Sequence, residues 1–184
     1  MKTIVVNLFG APGSGKSTGA AHIFSRLKRS GVKAELVTEF AKDEVWEQNA
    51  TALDNQEFIF GTQSLRQSRL NGKVDVIVTD SPLLLTMIYG HSPHQGYLNA
   101  LALSVFNEYE NMNYFVERCK PYENSGRLQT EVEAANLVYE ICQMLTYNKV
   151  PFKNVDGTTD GYDDIFYEVL DVVKKKGETN GDTE

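Results

Sequence analysis

The sequence predicts an α/β fold: a three-layer sandwich with a five-stranded parallel sheet, helices on both faces and a short lid. Three observations predict it. Five short apolar runs rich in β-branched residues alternate with segments of helical period, the pattern of repeated β-α units whose parallel sheet needs cover on both faces. The first run passes directly into a glycine-rich turn, Gly10-Ala-Pro-Gly-Ser-Gly-Lys-Ser17, and then into an amphipathic helix. The chain has 184 residues, 41% hydrophobic and 23% charged, an ordinary globular composition long enough to bury a sizeable core in one domain.

In order, Lys2 to Phe9 reads as a buried strand. Lys16 to Ser30 reads as a helix, with Ala20, Ile23, Phe24 and Leu27 on one face and Gly31 as its stop. Lys33 to Thr38 is the second strand, with Glu39 at its carboxyl end. Ala41 to Ala50 and Asn55 to Leu70 have helical spacing and are divided near Thr51 to Asp54, and Asn71-Gly72 ends the second. Val74 to Thr79 is the third strand, followed by Asp80-Ser81-Pro82, a short apolar helix from Leu83 to Tyr89 and a loop from Gly90 to Gly96. Tyr97 to Tyr109 is helical and Asn113 to Glu117 is the fourth strand. Arg118 to Arg127, containing Pro121, Asn124, Ser125 and Gly126, is a polar connection of lid type. Gln129 to Tyr147 is helical, Pro151 to Val155 the fifth strand, Asp156-Gly157 a turn and Tyr162 to Lys175 the last helix. One domain is expected over 1–176, with the lid at about 118–128 and a disordered polar tail over 177–184.

Net charge is −7, and three of the acids, Glu178, Asp182 and Glu184, sit after the last base, Lys176. That balance offers no general attraction to nucleic acid or to an anionic membrane, although it leaves room for a local basic groove. Cys119 and Cys142 form no C-x-x-C, so they imply neither a disulfide framework nor a metal site and suggest a reducing compartment. The N-terminal apolar run ends in the glycine-rich turn and is expected to be a core strand, not a signal peptide. No apolar run approaches membrane-spanning length, and a cytoplasmic location is expected.

Gly10 to Ser17 fits G-x-x-x-x-G-K-[ST], the phosphate-binding loop (P-loop) of nucleoside-triphosphate enzymes. Gly10, Gly13 and Gly15 let the backbone curl so that successive N–H groups, those of Ala11, Pro12's neighbours and Ser14 among them, point inward at phosphate oxygens. Lys16 is placed to reach the β/γ-phosphates and Ser17 to take one Mg²⁺ position, with Thr18 next on the helix. The positive end of that helix adds to the pull on anions. The expected cofactors are therefore ATP and Mg²⁺.

Ligands of open parallel sheets sit at the carboxyl ends of the strands, which gathers four distant spots into one crevice: the P-loop, Glu39, Asp80 and the start of the lid. Asp80 follows an apolar strand, where P-loop enzymes place the acid that holds Mg²⁺ or its water. Ser81 and Pro82 follow it in place of the Glu with which motor-type ATPases activate water, so transfer to another acceptor is favoured over hydrolysis. Glu39 is placed to orient or deprotonate an attacking hydroxyl, which points to an alcohol acceptor. Arg118, Lys120 and Arg127 are cations that a closing lid would bring to the triphosphate. Gln63 and Arg66 recur at helical spacing and are candidates to read a base or sugar edge and to hold an acceptor phosphate. Phe40, Trp46 and Tyr89 are candidate stacking walls or core residues. His91 and His94, two loop histidines without a third ligand beside them, read as surface residues and not as a zinc site.

Asn7-Leu-Phe-Gly-Ala-Pro-Gly-Ser-Gly-Lys-Ser-Thr18, Glu39, Asp80-Ser-Pro82 and a basic lid together resemble the thymidylate-kinase-like branch of P-loop kinases, over Lys2 to about Lys175. Glu35-Leu-Val-Thr-Glu-Phe-Ala-Lys-Asp43 with Trp46 resembles small phage-encoded P-loop kinases. These include the 5-hydroxymethyluridine DNA kinases, which phosphorylate the hydroxymethyl group of a modified pyrimidine in DNA during thymidine hypermodification. The resemblance implies ATP and a nucleoside-type acceptor, free or within phage DNA, as partners, in a host cytoplasm. Two departures stand out. Asp80 is followed by Ser-Pro where thymidylate and deoxynucleoside kinases show Asp-Arg, and Glu39-Phe40 stands where an acidic-Pro pair is usual. Arg66, Arg69, Lys73, Arg118, Lys120 and Arg127 are the residues from which a local basic wall for DNA would be built.

The leading expectation is an ATP-dependent kinase acting on a pyrimidine nucleoside-type acceptor, with the hydroxymethyl of 5-hydroxymethyluridine in DNA as its sharpest form. A kinase of free nucleosides or nucleoside monophosphates is the alternative. A non-transferase P-loop ATPase is the reading from another class. A GTPase would need an Asn/Thr-Lys-x-Asp signature, and Asn148-Lys-Val-Pro151 lacks the Asp. An AAA-type motor would want the second acid after Asp80 and an additional helical domain, neither of which is read here. Whether the chain is a monomer or a homodimer is left open by the sequence.

Overall fold

Strand β1 (Ile4–Phe9) is buried at all six positions, because it has a strand on each side and a helical layer on each face. The computed structural model describes residues 2–90, 92–121 and 130–181. Its elements run β1, α1 (Lys16–Arg29), β2 (Ala34–Val37), α2 (Phe40–Trp46), α3 (Ala50–Asp54), α4 (Gln56–Ser68) and β3 (Val76–Thr79). After a 3₁₀ turn at Leu83–Leu85 come α5 (Thr86–Tyr89), α6 (Gln95–Phe106), β4 (Glu110–Glu117), α7 (Glu131–Tyr147), β5 (Lys153–Asp156) and α8 (Thr159–Gly181). The five strands form one sheet in the order β2-β3-β1-β4-β5, and every pairing is parallel. The expected α/β sandwich is the observed fold.

The period-2 alternation of β1 sorts its side chains between two cores. Val5 and Phe9 join Phe60, Leu83, Leu84, Phe106, Ile141 and Leu145 under α4 to α7. Ile4, Val6 and Leu8 join Ala20, Ile23 and Leu27 of α1 and Ile165, Phe166 and Val169 of α8 on the opposite face. Asn7, buried between these cores, donates to Asn111 Oδ1 at 2.9 Å and Asn113 Oδ1 at 3.0 Å. A one-residue slip of β4 would leave these amides unpaired, so the pair of bonds fixes the β1–β4 register.

Several boundaries differ from those expected. β4 starts at Glu110, three residues early, because its pairing with β1 begins there, Glu110 beside Ile4, and continues to Phe115 beside Phe9. The helix expected over 41–50 stops at Trp46, past which Gln48 takes φ 56°, and the expected break at Thr51 to Asp54 is itself helical, lying in α3, which Asn49 caps by accepting from Ala52 N at 3.2 Å. α7 begins at a capping box in which Thr130 and Glu133 satisfy each other's backbone. α8 starts at Thr159 and runs to Gly181, so residues 177–181, expected in a disordered tail, are helical. Its core-anchored first half carries the turns beyond, and an Asp171–Lys175 pair at 2.6 Å has the i,i+4 spacing that supports a solvated helix. Among the described residues no helix is long and apolar enough to cross a membrane.

Candidate active site

The glycines of the P-loop are required by geometry at two points. Gly10 has φ +143°, and a Cβ there would lie 2.7 Å from both Ser14 Oγ and the Val116 carbonyl. Gly15, at φ +101°, is the N-cap of α1 and brings no side-chain cap. No acid occupies the first turn of α1, so its leading amides are presented to an anion with the helix dipole behind them. Lys16 Nζ folds back over the loop and donates to the carbonyls of Gly10 at 2.7 Å and Ala11 at 3.1 Å. Ser17 and Thr18 are exposed at the mouth. The hydroxyl of Ser14 is buried without a hydrogen-bond partner among the described residues. An unsatisfied hydroxyl on this loop, together with the Lys16 ammonium held at the loop's own carbonyls, fits a polyphosphate.

Glu39 and Asp80 meet because their strands do. β2 pairs with β3 in a register that sets Val37 beside Thr79, so the residues that follow emerge side by side. The Glu39 amide donates to Asp80 Oδ1 at 3.1 Å. β3 in turn pairs with β1, which feeds the P-loop. Burial pushes the Glu39 carboxyl above the usual range, Lys16 pulls it back, and Asp80 pushes it up again, with smaller opposing effects of Lys42 and Asp43. Lys16, Glu39 and Asp80 are thus within electrostatic reach of one another in one crevice. The Ser17 hydroxyl and the Asp80 carboxylate are hard oxygen donors suited to Mg²⁺. Among the described residues there is no group of three or more His, Cys, Asp or Glu side chains able to hold a metal ion by themselves, as a Mg²⁺ held largely by phosphates and water would not require.

The acceptor candidates lie on the flank formed by α2 and α4, where their groups engage one another. Gln63, 5% exposed, accepts from the Phe40 amide at 2.9 Å and donates to the carbonyls of Thr38 at 3.3 Å and Ser81 at 3.4 Å. It therefore ties the loop carrying Glu39 to the loop after Asp80. Phe40 is buried, edge-on to Phe58 with centroids 5.4 Å apart. Arg66 pairs with Asp43 at 2.7 Å and lies over the Phe40 ring. Trp46 is 64% exposed, and Tyr89 packs partly buried against the core.

Arg118 follows β4 and pairs with Glu131 in the first turn of α7 at 2.9 Å, and Lys120 is exposed. Arg127, with most of the expected lid, lies outside the described residues, as does His91; His94 is exposed. A cavity of about 410 Å³ opens beside the loop, with Pro12, Ser14, Glu117, Arg118 and Asn154 in its wall. A larger cavity of about 890 Å³ lies away from these groups, among α5, α6 and α7.

Sequence reasoning missed the contribution of the β5–α8 corner. Gly157 donates its amide to the Glu117 carbonyl at 2.9 Å, and Tyr162 donates its hydroxyl to the Gly15 carbonyl at 3.0 Å. Tyr162 reads in sequence as one more apolar position of the last helix, and no local signal links it to a loop 147 residues earlier.

A protein-family model described as an AAA domain matches residues 5–161. The match runs from β1 to the first turn of α8 and takes in the P-loop, Glu39, Asp80 and Arg118. A search of curated proteins found no match.

Proposed function

The chain belongs to the AAA-domain family of P-loop NTPases, which implies nucleotide binding with hydrolysis or phosphotransfer, and from that premise we propose that it is an ATP-dependent phosphotransferase acting on an alcohol of a nucleoside-type acceptor. The observation that carries this reading is Glu39: a partly buried carboxyl with a raised pKa, bonded through its amide to Asp80 and within electrostatic reach of Lys16. A base with an elevated pKa is suited to taking a proton near neutral pH.

In this reading the loop amides of Gly10 to Thr18 and Lys16 hold the phosphates. Ser17 and Asp80 would hold Mg²⁺, which would supply charge neutralisation for the transferring phosphoryl group. Glu39 orients the acceptor hydroxyl and accepts its proton as its oxygen attacks the γ-phosphorus, while the bond from that phosphorus to the β,γ-bridging oxygen breaks and ADP leaves with the bonding pair. Arg118 and Arg127 stabilise the transferring group. Gln63 acts by holding the Glu39 and Ser81 loops together, and Phe40 and Arg66 build the flank against which the acceptor lies.

The resemblance to thymidylate-kinase-like enzymes and to 5-hydroxymethyluridine DNA kinases supports the hydroxymethyl of a modified pyrimidine in DNA as the acceptor. The pairings of Arg66 with Asp43 and of Arg118 with Glu131 favour a small nucleoside or nucleotide, because two cations of the expected basic wall already have acidic partners. Hydrolysis is the second reading, and Glu39 favours it too: an acid at the end of β2 supplies what Ser81 does not after Asp80. One experiment separates the three. The protein is incubated with γ-labelled ATP and Mg²⁺ plus hydroxymethyluridine-containing DNA, ordinary DNA, or free nucleosides and nucleoside monophosphates. Label in the modified DNA alone supports the DNA acceptor, and label only in free acceptors removes it. Inorganic phosphate release with no labelled acceptor replaces the transferase reading with a hydrolase.

A further inference from the structure

We propose that Tyr162 is a positioning residue for nucleotide binding, locking the first turn of α1 so that the amides of the P-loop stay aimed at phosphate. The inference rests on the P-loop being the nucleotide site, and it assigns a function to α8 that the sequence pattern does not contain.

The Gly15 carbonyl accepts two hydrogen bonds, from the Gly19 amide at 2.8 Å and from the Tyr162 hydroxyl at 3.0 Å. A carbonyl has two lone pairs, so its accepting capacity is filled. The peptide unit is planar and trans, which sets the Lys16 N–H antiparallel to the Gly15 carbonyl. Fixing that carbonyl toward α8 therefore fixes the Lys16 N–H toward the open end of α1, where an anion binds. The constraint matters because Gly15 occupies φ +101°, a region in which a glycine backbone has many alternatives.

Two further contacts fall on the same stretch. The Tyr162 ring lies so close to Gly19 that a Cβ there would sit 2.6 Å and 2.7 Å from two ring carbons. At Gly157, just before α8, a Cβ would sit 2.7 Å from the Glu117 carbonyl and nearer still to that of Ser14. Thus the β5–α8 corner touches Ser14, Gly15 and Gly19 together. α8 is in turn held on α1: Asp163 takes His22 Nε2 at 2.5 Å and also pairs with Arg26. The Arg26 guanidinium lies 4.0 Å from the centroid of the Phe166 ring and 4.8 Å from that of Tyr167. Burial raises the Tyr162 pKa, which keeps the hydroxyl a donor.

The test measures binding of a fluorescent ATP analogue with Mg²⁺, together with KM for MgATP and kcat for ATP turnover. Tyr162→Phe keeps the ring and removes the donor. Releasing the Gly15 peptide lowers the fraction of molecules with a binding-competent loop, and the loss of one neutral hydrogen bond corresponds to about a three- to tenfold rise in Kd. KM for MgATP should rise by the same factor with kcat at saturation unchanged, a split that a merely structural role would not give. Gly19→Ala, which improves helix propensity but displaces the ring, should raise Kd likewise. Lys16→Ala serves as the reference. If Lys16→Ala binds as tightly as wild type, the P-loop assignment itself fails. If Lys16→Ala loses binding while Tyr162→Phe and Gly19→Ala bind like wild type, or lose kcat at unchanged Kd, the positioning role is overturned and the P-loop reading stands.

Discussion

Replacing Glu39 by Gln separates proton acceptance from the other properties of the side chain, since the substitution is nearly isosteric and removes only the charge. Losing a general base costs about 10²- to 10⁴-fold in kcat, or at least about 2.7 kcal/mol in barrier. Stability should move the other way. The Glu39 carboxyl is raised above the ordinary value of 4.5, with burial the largest cause, so the folded state binds more proton than the unfolded one between those two values. Stability therefore falls as pH climbs from about 4.5 through the raised folded value, and above that the full penalty is present. Gln carries no such penalty. Each pK unit of elevation corresponds to about 1.4 kcal/mol, and about 1 kcal/mol moves Tm by roughly 2–4 °C in a domain of this size. Glu39→Gln should accordingly turn over slowly yet melt higher than wild type at pH 8, with the two melting curves converging near pH 4. The assay is kcat/KM from pH 5 to 9 beside thermal melts at the same pH values. Wild type should show a rising limb set by Glu39, and the variant should lack it. An unchanged kcat with the limb intact would refute the base, and equal Tm at pH 8 would refute the burial argument.

Lys16→Ala should weaken MgATP binding at least tenfold with the far-UV circular dichroism spectrum unaltered, because its ammonium bonds to loop carbonyls and its side chain is part of neither hydrophobic core; full binding would remove it from the site. Gln63→Leu leaves the Phe40 amide buried without its acceptor and should cost about 1–3 kcal/mol in urea denaturation, with kcat falling as the Glu39 loop loosens. An unchanged urea midpoint would mean that water replaces the amide. Asp43→Asn releases Arg66 from its pair and should change stability by less than about 1 kcal/mol. If DNA is the acceptor, the same variant should steepen the salt dependence of its KM, and a salt-independent KM would point to a small acceptor.

How far the sequence reached can be judged from particular residues. The P-loop was legible because its chemistry is local: three glycines, a lysine and a serine at fixed spacing after a β-branched strand. Glu39 and Asp80 were legible as ends of strands, since the strand-end rule for parallel sheets converts distant positions into neighbours before any coordinates exist. Gln63 was legible as a crevice residue, but its backbone partners were not. Helical spacing places it toward the crevice, yet whether its amide meets an acceptor or the backbone of two loops depends on packing that no local pattern encodes. Arg66 and Arg118 read as available cations because Asp43 and Glu131 lie 23 and 13 positions away and come close only when α4 folds on α2 and α7 on β4. Tyr162 was the hardest, for its aromatic ring satisfies an ordinary core position while its hydroxyl reaches a loop at the other end of the chain.

The donor and acceptor halves of the crevice differ in a way that bears on substrate. The proposed donor side is built largely from backbone, and because the first turn of α1 carries no acid and no side-chain cap, its pull on phosphate is left intact by folding. The α2–α4 flank proposed for the acceptor presents side chains, and two of them are engaged within the fold: Gln63 with the Phe40 amide and Arg66 with Asp43. Between α2 and α4, Lys42, Arg66 and Arg69 stand against Asp43, Glu44, Glu47, Asp54 and Glu57, an excess of acid that repels a polyanion at longer range. Glu44 is itself buried and accepts from Asn49 at 2.7 Å, so this acidity is part of the fold and not a loose surface feature. If Glu39 is the base, a nucleoside hydroxyl is less opposed by such a flank than a DNA strand is. A DNA acceptor would therefore need its cations elsewhere than on the α2–α4 flank, and a small acceptor would not.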